Sequence, residues 1–375
     1  MDRAIAAIVR FSRLALHNGV SRLAAFATSA VRDATNGGEL IAAIHSLTGC
    51  EIQILDGQEE ALLSARALQR GLYVEDGIIA DLGGGSLELA ALRRGEVNEM
   101  ISLPIGTMRL QAQTSGDMVK MKKEICQALD QIDWFGKYAG KTLFPIGGAW
   151  RAFARLKIVD SKYPLDIIHG YTIPAAAAAE TAKLLMGLSK QSLAGLESVV
   201  SQRRMSMPLT GLLLNELIDR TKPKTVTFSA VGVREGYVYG HMEPDQIADD
   251  PLAAASSAFS EREGRFRETA EALLQWLSPI MSAENRRRRR LQLAVCSLSD
   301  IAWRDHPDYR ASFAFDRTIE YPFFGINHME RAFIALSVYL RYGGKLSDAR
   351  VAHIGSLLSK RAIRRAETIG FGLRL

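Results

Sequence analysis

The chain has 375 residues, 47% hydrophobic and 23% charged, which excludes a disordered or fibrous protein and suffices for two or three domains. A formal net charge of +6 suits a polyanionic partner but is too small an excess to say which kind. No stretch is long and uncharged enough for a membrane span, and three widely spaced cysteines, Cys50, Cys126 and Cys296, point to reduced thiols in a cytoplasmic protein rather than a disulfide framework.

Along the chain, residues 1–17 predict a helix with Ile5, Ile8, Val9 and Leu16 on one stripe, ended by Asn18 and Gly19. Arg3, Arg10 and Arg13 interrupt its apolar residues, unlike a signal peptide. A strand is expected over 23–27, then the stretch ATSAVRDATNG, a helix near 38–47 and a strand over 52–55. Asp56 and Gly57 end that strand, and Glu59 and Glu60 open a helix. Acids in a first helical turn suit the macrodipole, so capping is the plain account of this pair, with Glu59 read as a solvated side chain.

Residues 77–91, GIIADLGGGSLELAA, carry the strongest local signal. Two alternating apolar runs joined by a glycine turn read as a β-hairpin. Asp81 lies among apolar strand residues, where a carboxylate is costly without a partner. Gly83, Gly84 and Gly85 allow positive φ and close backbone approach, so their N–H groups could cradle an anion. With Ser86 and Glu88 they form a candidate phosphate and magnesium site. A turn at Arg93 to Gly95 leads into a third strand over 97–103, completing a meander. A helix near 116–132, a strand over 141–146, Gly147-Gly148, an Ala-rich helix after Pro174 and a strand over 225–229 follow. Residues 244–257 read as a linker, and the chain from 258 reads as all-helical.

Six pieces in order, ATSAVRDATNG, DGQEEA, DLGGGSLEL, FPIGGAWRAFARL, HGYTIP and GVREG, resemble the exopolyphosphatase and guanosine-pentaphosphate phosphohydrolase family. The resemblance implies an α/β ribonuclease-H-like core of the actin, sugar-kinase and heat-shock-chaperone superfold. Residues 1–73 would belong to its first domain and 74–243 to its second. An all-α, degenerate HD-like domain over 258–375 would follow the linker. It further implies that Glu60 positions the attacking water, that Asp81 and Glu88 hold Mg2+, and that Arg32, Gly83, Gly84, Gly85, Ser86 and Arg234 contact phosphate. Pairing with Asp33 is the plain alternative for Arg32. His169 reads as a packed histidine, and Gly147-Gly148 as a cleft turn that need not bind a base.

The sequence departs from the family pattern in two places. No glycine-serine loop resembling DIGSNS occurs, so the expectation is a chain short at its N-terminus and lacking one jaw of the phosphate clamp. Ser299-Asp300 stands where HD enzymes carry His-Asp, and the nearby Asp305-His306 has the wrong spacing, so no second metal centre is expected. The C-terminus also reads as short. The run Arg286 to Arg290 spans more than a helical turn and cannot face one ligand, leaving open either a polyanion channel or pairing with neighbouring acids.

The leading functional expectation is a magnesium-dependent cytoplasmic phosphohydrolase acting on polyphosphate or guanosine pentaphosphate. Its partners would be that substrate and, as an open option, a second copy of the chain, with no specific nucleic acid and no membrane. The alternatives are a non-catalytic relative that binds these anions and, less favoured, an ATP-dependent sugar-kinase-like phosphotransferase.

Overall fold

The computed structural model describes residues 1–375 except 21–22, 200, 244–249, 266–269 and 282–284. Strands β1 (Ala25–Ala27) and β2 (Ile52–Ile54) pair in parallel as a small sheet. The main sheet contains β3 (Gly77–Leu82), β4 (Leu87–Arg93), β5 (Glu96–Leu103), β6 (Thr142–Ile146), β7 (Thr172–Pro174) and β8 (Thr225–Thr227), in the order β5-β4-β3-β6-β8-β7. β3, β4 and β5 form the antiparallel meander, β6 and β8 run parallel to β3, and β7 closes the edge antiparallel to β8.

Both faces of the sheet are covered, which is why β3 and β4 read as nearly continuous apolar runs. Side chains alternate between the faces. Ile78, Ala80, Leu82, Leu87, Leu89 and Ala91 join the larger core with helices Met118–Leu129, Gly148–Asp160, Ala175–Met186 and Met207–Thr221. Ile79, Ala90, Leu92, Phe144 and Ile146 pack on the opposite face against Ala61, Ala65 and Leu68 of helix Gly57–Leu72. By the same alternation Asp81 and Glu88 fall on this second face, and the β3–β4 register sets them directly opposite each other.

A separate core belongs to a C-terminal helical domain, with no strand among the described residues after Thr227. Its central helix, His328–Arg341, is buried on nearly every side. Arg331 lies inside and donates to the carbonyls of Ile319, Tyr321 and Phe323. Burial pulls its pKa down to about 10.

The domains meet at a polar junction. Gly71 carbonyl accepts from His169 Nε2 at 2.8 Å and from the Gly325 backbone N–H at 2.7 Å. His328 Nε2 donates to the His169 carbonyl at 3.0 Å, and its Nδ1 lies 3.2 Å from the Tyr163 hydroxyl. His169 is thus a packed structural side chain. The arginine run is consumed nearby. Arg287 pairs with Glu330 at 2.6 Å and Arg289 with Glu271 at 2.8 Å. Arg290 pairs with Asp250 and lies over the Tyr73 ring. These pairings fit fastening of the helical domain better than a channel.

Several elements differ from expectation. Leu16 is 70% exposed rather than on the packed stripe of helix Asp2–His17. Of the expected linker, residues 244–249 lie outside the described residues, and Asp250 caps helix Pro251–Glu263 through the Leu252 N–H. Pro at the first helical position favours a helix start as much as a loop. Helix Met207–Thr221 had no periodic signal because it is buried all round. Asp300 accepts three hydrogen bonds from Arg265, and Asp305 pairs with Arg317 at 2.9 Å, so both serve as anchors of the helical domain.

Candidate active site

The site forms at one end of the β3–β4 hairpin. Its glycine turn is held from behind: Gly83 N–H donates to the Ser86 carbonyl, and the carbonyls of Gly83 and Gly84 accept the first N–H groups of helix Thr107–Thr114 at 2.8–3.1 Å. Among the described residues no backbone acceptor takes the N–H groups of Gly84 and Gly85. None of the three glycines adopts positive φ, so contact, not a left-handed conformation, explains them. A β-carbon on Gly85 would lie 2.6 Å from Ser29 Oγ. One on Gly106 would overlap the backbone of Gly84, Gly85 and Ser86, none of which can move aside. Gly106→Ala should therefore cost about 3 kcal/mol or more of stability, measurable by urea unfolding; a loss below 0.5 kcal/mol would contradict this packing.

Helix Gly57–Leu72 brings up the first acid. Asp56 caps it by accepting from the Gln58 and Glu59 N–H groups at 2.8 Å, and Glu59 reaches back to the Asp56 N–H at 2.7 Å. Glu59 is thus the capping acid, and the simple capping account does not hold for Glu60. Glu60 turns inward and is only 5% exposed. It accepts from Arg32 Nη1 at 2.7 Å and from the Ser29 backbone N–H, yet burial outweighs both bonds and holds its pKa above the ordinary carboxylate value.

Asp81 accepts from Ser64 Oγ one helical turn beyond Glu60, and burial raises its pKa. Glu88 accepts from Ser102 Oγ at 2.9 Å; burial, with Glu60 and Asp81 nearby, pushes its pKa up to about 8. The three carboxylates lie within each other's field. Such a site gains from any cation or shared proton.

The cations around it divide into two sets. Arg32 is committed: Nη1 reaches Glu60 and the Leu55 carbonyl, and Nε lies 3.5 Å from Asp33, so the Asp33 pairing is present as well. Its Nη2 meets no acceptor among the described residues. Arg109, which sequence reasoning missed, joins Asp33 to the glycine turn, donating to Asp33 and, at 2.7 Å, to the Gly85 carbonyl. The signal was an arginine three residues after Gly106, on the helix that the turn itself starts. Arg234, on helix Val233–Tyr239, is exposed and, among the described residues, meets no carboxylate within ion-pair distance. That helix crosses Gly57–Leu72 at Gly236, where any β-carbon would overlap the Leu63 carbonyl. Gly232, two residues before Arg234, lies beside Asp81 Oδ2.

Gly147, with φ +113°, makes the turn from β6 into helix Gly148–Asp160; a β-carbon there would lie 2.5 Å from the Leu82 carbonyl. The strand-to-helix turn alone accounts for this glycine. Cys50, Cys126 and Cys296 are free thiols outside the site.

Comparison with known proteins identifies the family. Residues 1–244 match the Ppx/GppA phosphatase family and residues 252–375 the exopolyphosphatase C-terminal family. Retrograde regulation protein 2 of Saccharomyces cerevisiae is 26% identical over 356 residues, 86% of this chain and 59% of that protein. Exopolyphosphatase 1 of Mycobacterium tuberculosis is 35% identical over 134 residues, 35% of this chain and 39% of that protein. The chain thus spans less than two thirds of either relative. In fold it is similar to the crystal structure of an exopolyphosphatase from Cytophaga hutchinsonii, with TM-score 0.58 and 21% identity over 64% of this chain and 80% of that one. It is also similar to an Aquifex aeolicus Ppx/GppA family member, with TM-score 0.53 and 21% identity over 63% and 79% of the two chains. The chain belongs to the Ppx/GppA phosphatase family.

Proposed function

With that membership as premise, we propose that the chain is a phosphohydrolase that removes the terminal phosphate from polyphosphate or guanosine pentaphosphate. The observation that carries this is the convergence of the buried Glu60 and Glu88 with the half-buried Asp81 beside the glycine hairpin. In the reaction, a water oxygen bonds to the terminal phosphorus while the bridging P–O bond breaks toward the shortened chain. Glu60 holds the water and accepts its proton, and a raised pKa makes it a better base near neutral pH. The N–H groups of Gly84 and Gly85 and the free edge of Arg32 would receive phosphoryl oxygens. The sheet order of an antiparallel meander followed by parallel strands supports the ribonuclease-H-like reading of residues 74–243.

Among the described residues no three acidic, histidine or cysteine side chains suffice to hold a metal by themselves. Asp81 and Glu88 offer oxygen donors and are crowded by like charge, and Mg2+ commonly takes one or two carboxylates plus substrate oxygens and water. They fit that ion, which when bound would supply positive charge to the phosphoryl oxygens. Asp81→Asn should shift the magnesium concentration for half-maximal activity upward by roughly tenfold or more, and Glu88→Gln less. Titrations of both variants that overlay the parent would remove these residues from the metal site.

A second reading, binding without turnover, is supported by the Arg32–Glu60 ion pair, which ties the proposed base to the proposed phosphate ligand. Phosphate release from long-chain polyphosphate and from guanosine pentaphosphate, each with Mg2+, decides between the two. Tight binding of either anion with no release would establish the second.

A further inference from the structure

Three arginines from separate segments converge on one place next to the acidic site. Several arginines are tied up in ion pairs: Arg32 with Glu60, Arg220 with Glu216 and Asp130, Arg290 with Asp250, Arg317 with Asp305. Among the described residues Arg151, Arg203 and Arg234 meet no carboxylate within 4.0 Å. They come from three separate segments, helices Gly148–Asp160, Ser201–Arg204 and Val233–Tyr239.

Their positions converge beside the acids. Gly148 has no side chain, and the Arg203 guanidinium occupies the space where one would be, its Nη1 2.6 Å from the β-carbon position. Residues three apart share a helix face, so Arg151 stands next to that guanidinium. The turn before them rests on the Leu82 carbonyl, adjacent to Asp81, and a β-carbon on Gly232, two residues before Arg234, would lie 3.6 Å from Asp81 Oδ2. Arg151 is half-buried and lies in the field of Asp81 and Glu235 on one side and of Arg203 and Arg234 on the other. Asp81 and Glu235 offset part of this charge without an ion pair to any of the three, so their guanidinium groups can still donate together to an anion that reaches them. Trp150 is wholly buried and presents no ring to a nucleobase, so the grouping suits bare phosphate.

We propose that Arg151 and Arg203, together with Arg234, hold the phosphates immediately behind the terminal one, so that a run of adjacent phosphates enters past this end of the central strands and its last unit meets Glu60, Asp81 and Glu88. This rests on the phosphohydrolase reading of the acidic site. The ligand is a linear phosphoanhydride, free or attached to a nucleoside.

The test compares the full chain with Arg151→Gln, Arg203→Gln, their combination and the lysine-conserving Arg203→Lys, with Lys183→Gln as an exposed control. KM for long-chain polyphosphate should rise about tenfold per arginine lost, as expected for a charge-assisted hydrogen bond. The slope of log KM against log salt should fall by roughly one per arginine. Arg203→Lys should recover part of the loss. Inhibition by inorganic phosphate, which needs only the terminal position, should stay at the parent value. Guanosine pentaphosphate as a parallel substrate tells a free chain from a nucleoside-linked one by which KM moves more. Variants with parent KM and salt slope, or variants that lose inorganic phosphate equally, would overturn the proposal while leaving the hydrolase reading intact. A parent that releases no phosphate would overturn the hydrolase reading. Direct binding of polyphosphate would then decide the arginines: binding lost in the double variant supports them, and equal or absent parental binding rejects them.

Discussion

Replacing Glu60 with glutamine should lower phosphate release from long-chain polyphosphate by about 100- to 10,000-fold with little change in KM. Glutamine keeps the shape and can still accept from Arg32, so the ground-state contacts survive. What it loses is the capacity to take a proton from the attacking water, an interaction realised in the transition state. Glu59→Gln is the comparison. Glu59 serves the helix cap at Asp56, so its variant should cost about 1 kcal/mol of stability and leave turnover near the parent value. An Glu60→Gln chain with near-parental turnover would show that another group handles the water.

The second large effect is on stability in acid. His169 and His328 are buried at the domain junction, and burial lowers both to a pKa of about 4. Each is neutral in the folded chain while the unfolded chain takes up a proton below about pH 6.5. Between these limits the unfolded state binds more protons, so stability falls as pH drops from about 6.5 to 4. The loss is on the order of 2 kcal/mol per histidine by pH 5. Glu88 acts in the opposite sense: its pKa of about 8 means the folded chain holds a proton that the unfolded chain releases above about pH 4.5. The measurement is therefore a difference. Urea unfolding of the parent and of His169→Gln/His328→Gln at pH 7 and pH 5 should show the parent losing substantially more stability than the variant. Parallel pH dependence would mean that the histidines are not the titrating groups.

Much of the site was legible because it is local. Period-2 alternation on either side of a glycine turn puts Asp81 and Glu88 on one face and opposite each other, whatever packs above them. Acids at the start of the helix after Asp56 were equally visible, and it was the family resemblance, not the residues by themselves, that set Glu60 apart from Glu59. Glu59 and Glu60 differ by about 100° around the helix axis, and only the position of the sheet says which one points inward. The same limit hid helix Met207–Thr221, whose burial on all sides leaves no polar face to mark its period.

Sequence alone thus determined the family, the hairpin, its acidic pair and the helical character of the C-terminal domain. Tertiary structure decided which charges meet. Arg32 finds Glu60, Arg109 clamps the glycine turn, and the run from Arg286 is spent largely on acids contributed by other helices. Arg151, Arg203 and Arg234 gather from helices up to about 80 residues apart in sequence, beside Asp81. Such meetings depend on how closely helices approach, and that is set by contacts such as Gly236 on Leu63 and Gly148 beneath Arg203. A glycine in a sequence shows that close approach is permitted, whereas the identity of what approaches is settled only when the whole chain packs.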